Sequence, residues 1–124
     1  MKRFLIVLAG CLVLASPAWA DDERAWTKED TLRQLTYTTL HVLDWGTTLD
    51  IAEKPDRYHE NNPILGKHPS RGDVNAYMAT TLILNWAVAY ALPHPYREMW
   101  QYAGIAVEAY CVGNNFHIGL RLAF

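Results

Sequence analysis

Cysteine is nearly absent from this chain. There are two, Cys11 and Cys111, and removal of the N-terminal segment described below leaves Cys111 alone, so no internal disulfide can form. An exported domain without that staple must draw its stability from its core, a membrane or a partner. An excess of one charge is also missing: 11 Lys and Arg stand against 13 Asp and Glu, a net charge of −2. With no basic stripe and no aromatic–basic interleaving, nothing points to nucleic acid. The chain has no Gly-x-Ser-x-Gly elbow, no phosphate-cradling glycine loop and no Cys–His pair in a catalytic context. It has no doubled His-x-x-x-His and no Glu-x-x-His. His41-x-x-Asp44, completed by Glu108 or His117, is the nearest approach to a ligand set, and neither a metal nor a cofactor is expected.

What is present is apolar and aromatic. Over 124 residues, 51% are apolar, with five Trp and seven Tyr. Such rings suit a membrane boundary, and they also suit a small soluble core. The length fits one small domain, and three segments follow from composition. Residues 1–20 read as a Sec-type signal peptide: Lys2 and Arg3, the apolar run Phe4 to Leu14, then Ala18-Trp19-Ala20 before Asp21-Asp22-Glu23. Leu8-Ala9-Gly10-Cys11 also spells a lipoprotein box. Residues 21–30 form a polar surface arm, with Thr27 and Asp30 spaced as a capping box. Residues 31–124 form the domain.

The domain reads as all-α, a three-helix bundle with a short extended C-terminal tail. The spacing predicts a first helix over Thr31 to Ala52, a second over Val74 to Leu92 and a third from Tyr96 to about Gly113. A Pro- and Gly-punctuated loop, Glu53 to Gly72, separates the first two. In it, Arg71-Gly72-Asp73 spells an adhesion tripeptide without carrying that meaning here. The short turn Pro93-His94-Pro95 makes the second and third helices antiparallel. Gly104 and Gly113 allow a neighbour to approach closely. From Asn115 to Phe124 the period changes: Phe116, Ile118, Leu120, Leu122 and Phe124 alternate with polar or small residues, which is strand periodicity. The terminal Phe resembles the closing strand of an outer-membrane barrel, yet a barrel needs at least eight such strands. A tail packed on the bundle is therefore preferred.

The second helix carries no charge across Val74 to Leu92 and is the best candidate membrane span. Lys54, Arg57, Lys67 and Arg71 in the loop fit the positive-inside bias. Against embedding stand Asp44, Asp50 and Glu108, each costing at least ~2.5 kcal/mol at mid-bilayer unless partnered, and a mean hydropathy of only −0.09. A membrane-embedded bundle is favoured over a soluble periplasmic one, so the expected location is the inner membrane, then the periplasm, then the outer membrane.

His41, Asp44 and Thr48 are spaced to share one face of the first helix. Asn85, Gln101, Glu108 and Asn115 are the polar residues of the other helices that would converge on them, with Glu60 and Asn62 at the mouth. Such a set serves as an interhelical hydrogen-bond cluster that fixes packing, or as a proton- or cation-handling site. An acid pair, Asp44 with Glu108 or Glu60, would suit hydrolysis of cell-wall glycan. Glu60-Asn61-Asn62-Pro63 reads first as a turn whose Asn side chains bond the local backbone. The alternative is that Glu60 folds back onto the stripe. His59, His68 and His94 lie in Pro-rich turns and are expected to be solvated. Cys111 reads as a small buried hydrophobe.

The order Asp44-x-x-x-Thr48, then Glu60-x-Asn62-Pro63, then an uncharged helix resembles an uncharacterised family of small multi-helix membrane proteins. The resemblance covers about half the mature chain. It implies a multi-helix membrane protein and supplies no reaction. By analogy alone, such short exported helical chains also occur as phage or prophage lysis or exclusion factors. The expectation is a non-enzymatic accessory or interaction protein of the cell envelope, with membrane lipid, an envelope protein or a second copy of itself as partner. The alternatives are a small acid-pair hydrolase and a soluble periplasmic binding module.

Overall fold

A computed structural model describes residues 21–124. The proposed signal peptide, residues 1–20, and Cys11 lie outside the described residues. After one helical turn, Asp21–Arg24, come three helices: α1 (Lys28–Glu53), α2 (Arg71–Ala91) and α3 (Tyr96–His117). The three pack as a bundle, and no strand forms among the described residues.

Capping sets the starts. Thr27 Oγ1 accepts from the Asp30 N–H at 3.1 Å while Asp30 Oδ2 accepts from the Thr27 N–H at 2.9 Å. This reciprocal pair satisfies two donors that a helix end leaves free. Ser70 and Asp73 form the same box at the start of α2. The Arg71-Gly72-Asp73 tripeptide is therefore structural: Asp73 is a cap, and Arg71 pairs with Glu53 and donates to the Ala123 carbonyl. α1 and α2 each start three residues earlier than the apolar pattern suggested, because their capping turns are polar. α3 runs on to His117, which places Asn115 on the helix.

The tail is not a strand. Phe116 and His117 belong to α3, and the segment beyond folds back onto α1. Leu120 is fully buried. The Ala123 N–H bonds the Gly46 carbonyl at 3.0 Å, and the Arg121 N–H bonds Asp50 Oδ2 at 2.9 Å. Leu122 and Phe124 cover Gly46 so closely that a Cβ there would sit 2.7 Å from Leu122 Cδ2. Gly104 has a similar role: a Cβ would lie 3.0 Å from the Tyr37 ring. Gly113 faces open space.

The burial pattern is unusual. A small apolar cluster, Leu49, Val74 and Met78, seats α1 on α2. Elsewhere the interior mixes scattered apolar residues with many polar ones: Asp30, Gln34, His41, Thr48, Asp50, Arg97, Gln101 and Glu108 are all buried. Large apolar side chains point outward instead, among them Ile83, Tyr90, Met99 and Tyr110, each more than 60% exposed. Even so, no helix among the described residues is long and apolar enough to cross a membrane. The expectation of a spanning second helix is corrected accordingly. α2 begins with Arg71 and Asp73 and carries Asn75, Thr80, Thr81 and Asn85 through its length, which dilutes the uncharged stretch.

Asp30 is the exception within residues 21–30, where Glu23, Ala25, Lys28 and Glu29 are exposed. It is fully buried. Arg33 Nη2 meets its Oδ1 at 2.6 Å, and Arg97 Nη1 and His94 Nε2 meet its Oδ2 at 3.0 and 3.1 Å. His94 is thus a partner in an ion-pair cluster, not a solvated turn residue. Arg97, also fully buried, donates further to the carbonyls of Arg24, Ala25 and Ala89 and lies over the Trp26 ring. Burial works to raise the Asp30 pKa. The Thr27 N–H, Arg97, Arg33 and His94 together outweigh it and hold the carboxyl below its ordinary value. This node ties the start of α1 to the end of α2 and the start of α3.

Removing one partner from a buried ion pair strands the other charge, at a cost of roughly 3–5 kcal/mol. Arg97→Met is expected to lower stability by about that much in urea unfolding. Arg33→Ala, at the partly exposed edge of the node, should cost less. Arg97→Met with an unchanged urea midpoint would show that the node does not hold the bundle.

Candidate functional site

At the other end of the polar interior lies a cavity of about 600 Å³. α1 lines it with Tyr37, His41, Asp44 and Thr48. Their spacing of four, three and four residues puts them on one face, as the 3.6-residue period requires. α2 adds Tyr77, Met78, Thr81 and Asn85, and α3 adds Trp100, Glu108, Cys111 and Asn115. Glu60, Asn62 and Leu65 reach it from the α1–α2 loop.

His41 is the centre of the site and is almost wholly buried. Its Nδ1 lies 2.7 Å from Glu108 Oε1 and its Nε2 lies 2.9 Å from the Met78 carbonyl oxygen. A carbonyl and a carboxylate both accept, so a proton is called for on each ring nitrogen. Burial opposes the charged ring. The hydrogen bond to Glu108, the Met78 carbonyl and the charges of Glu108 and Asp44 outweigh it and raise the His41 pKa. The pair is therefore an imidazolium–carboxylate. Glu108 Oε2, in contrast, is buried with no hydrogen-bond partner among the described residues.

Asp44 is held differently. Its Oδ1 accepts from Asn115 Nδ2 at 2.8 Å, and the same Nδ2 reaches Thr47 Oγ1 at 3.0 Å. Burial, followed by the negative charges of Glu108 and Glu60, pushes the Asp44 carboxyl up to about 7. His41 and Asn115 pull it the other way, by less. Asp44 is thus poised near half-protonation at neutral pH. Cys111 lines the cavity half-buried, and its thiol is pushed up to about 11, first by burial and then by Asp44, Glu108 and Glu60. It stays a thiol at neutral pH.

Of the polar residues singled out in the sequence, His41, Asp44, Thr48, Glu60, Asn62, Asn85, Glu108 and Asn115 line this one cavity. Gln101 does not. It is fully buried in the Asp30 node, donating to the Asp30 carbonyl and to Gln34 Oε1 and accepting from Arg33 Nε. Asn85 joins the two ends, because its Oδ1 accepts from Gln34 Nε2 at 2.7 Å. Both readings of the Glu60–Pro63 turn coexist. Glu60 Oε1 accepts from the Asn62 N–H, and Asn62 Oδ1 from the Ile64 N–H, while both side chains face the cavity. Asn62 and Tyr77 line the same cavity.

Sequence reasoning missed Gln34, Arg97, Tyr77 and Trp100. Tyr37 was placed only beside the polar stripe, although it lies four residues before His41 and so on the same face. No three His, Cys, Asp or Glu side chains among the described residues converge to hold a metal ion. Comparison of the chain with protein-family models, with curated proteins and with solved structures finds no match.

The titrations set a stability profile. The folded Asp44 carboxyl titrates near 7 against an ordinary 3.8, so the native state binds more protons between those values and loses stability as pH rises through them. His41, also raised, contributes stability below its ordinary 6.5 that is lost as pH climbs through its folded value. Asp30 and Asp50, both lowered, contribute above 3.8 and lose that as pH falls. Maximum stability is therefore expected at weakly acidic pH, with a decline towards about pH 8. Asp44→Asn should flatten the decline and gain on the order of 1 kcal/mol or more at about pH 8, with little change near pH 4. Urea unfolding across pH checks this. A wild-type midpoint that rises from about pH 5 to about pH 8 would contradict it.

Proposed function

We propose that this chain is a non-enzymatic binding module of the cell envelope that holds a small molecule in the cavity between its helices. The observation that carries the reading is a cavity of about 600 Å³ enclosed by the three helices and lined by polar side chains, His41, Asp44, Thr48, Glu108 and Asn115, beside aromatic and aliphatic ones. Cavities of roughly 300–1,000 Å³ are the size that small ligands occupy.

Turnover is less well supported than binding. A general base needs a free lone pair, and both His41 nitrogens face acceptors. A thiol nucleophile needs to be ionised, and Cys111 is not. One observation favours an acid-pair hydrolase as a second reading: Asp44 titrates high beside the Glu108 carboxylate, and acid–base pairs are made by pushing such values apart. The exposed apolar side chains on α2 and α3, Ile83, Tyr90, Met99 and Tyr102, support an accessory role against lipid or an envelope partner, since an uncovered apolar surface of that kind marks an interaction face.

A fragment library screened by amide NMR on residues 21–124 tests the reading. Ligands are expected to shift the amides of Asp44, Tyr77 and Glu108 but not those of Asp30 and Arg97, and Leu84→Trp, which fills the cavity, should abolish those shifts. A library without a single cavity binder would count against the proposal. Release of reducing sugar from cell-wall glycan, lost in Asp44→Asn, would install the hydrolase in its place.

A further inference from the structure

We infer that the ligand is an organic monocation: a protonated primary or secondary amine carried on an apolar or aromatic body. This rests on the binding reading above and narrows it to a chemical class.

The cavity wall contains the carboxylates of Asp44, Glu60 and Glu108 and no Lys or Arg. Its one cationic group, His41, is consumed by Glu108 Oε1 and the Met78 carbonyl. An ammonium offers up to three donors and no acceptor, which suits a wall that carries three carboxyl groups and no Lys or Arg. An anion would meet like charge without a counter-ion.

The rest of the wall describes the ligand body. Tyr37, Tyr77 and Trp100 line the cavity, with Tyr110 at its rim, and Leu84, Val88 and Met78 lie between them. Aromatic faces attract a cation that has shed part of its water, and the aliphatic side chains accept a hydrocarbon or ring. The acids do not converge on a point, so the cavity fits a charge at one end of an extended molecule better than a bare metal ion.

Binding should also move a proton. The groups facing Asp44 are Glu108, Cys111 and Asn115 from α3, Tyr77 from α2, Glu60 from the loop and Tyr37 and His41 on α1. Of these only His41 carries positive charge. A cation placed among them favours the ionised carboxylate, so Asp44 gives up its proton to solvent as the amine binds. Affinity rises from acidic to mildly alkaline pH for that reason.

Calorimetry on residues 21–124 with three matched probes tests the assignment: 2-phenylethylamine, 2-phenylethanol and 3-phenylpropanoate. At about pH 8 the amine is expected to bind at least about tenfold more tightly than the alcohol, with no binding of the carboxylate. That preference should shrink at about pH 5.5, and Asp44→Asn should lose its pH dependence. Glu108→Gln should lose most of the amine preference; if circular dichroism shows it unfolded, the Asp44→Asn pH profile alone decides. Equal binding of amine and alcohol would overturn the cation assignment while leaving a binding module in place. The same holds if the probes fail while library fragments bind in the cavity. If neither probes nor fragments bind, both readings fall.

Discussion

The bundle depends on one buried ion pair, Asp30 with Arg97. Both side chains are fully buried, and a charge removed from water is tolerable only when its hydrogen-bonding capacity is filled. Here the filling comes from every part of the fold. Asp30 gathers Arg33 and the Thr27 N–H from its own helix, Arg97 from α3 and His94 from the turn before it. Arg97 in turn takes carbonyls from the segment before α1 and from the end of α2. Few packings of three helices could satisfy all of these at once. The pair therefore works more as a specification of geometry than as a source of stability, a role that replacing it with apolar side chains would not reproduce.

From that node a line of amides, Gln101, Gln34 and Asn85, runs through the interior to the cavity. The two ends of the line are opposites. At the node the carboxylate of Asp30 meets donors on both oxygens and its pKa falls. At the cavity Glu108 has one oxygen in use and one empty, and Asp44 meets more negative neighbours than positive ones, so its pKa rises. A fold that can satisfy one buried acid so fully leaves Glu108 with an unpartnered oxygen and Asp44 among like charges, beside a space with room for a molecule. That contrast separates a packing network from a binding site, and it underlies the functional reading.

Much of the architecture was legible in sequence because it rests on local rules. Helix periodicity, the Pro-marked turn and the Thr27–Asp30 box gave three helices in an antiparallel arrangement. The one-face spacing of His41, Asp44 and Thr48 put three cavity residues in line. Long-range pairing was not legible. Nothing near Asp30 in the sequence signals Arg97, 67 positions away, so a fully buried acid read as part of a polar arm. Gln101 and Glu108 share a helical face by spacing, yet seven residues is about two turns, enough to deliver one to the node and the other to the cavity. The tail packs on the bundle as preferred, but its strand period did not foretell how: Leu120 is inserted, Leu122 and Phe124 cover Gly46, and backbone bonds tie the segment to Gly46 and Asp50. The spanning-helix expectation came from absence of charge, which is a weaker property than hydrophobicity when Asn and Thr fill the gaps.

The difference between the two ends can be read directly from the carboxyl carbons. In a ¹³C NMR titration of side-chain carboxylates in residues 21–124, the Asp44 resonance is expected to move with a midpoint near 7, while Asp30 stays ionised until below its ordinary 3.8. An Asp44 midpoint near its ordinary 3.8 would mean that it faces open water, and the account of an under-satisfied acidic cavity would be wrong.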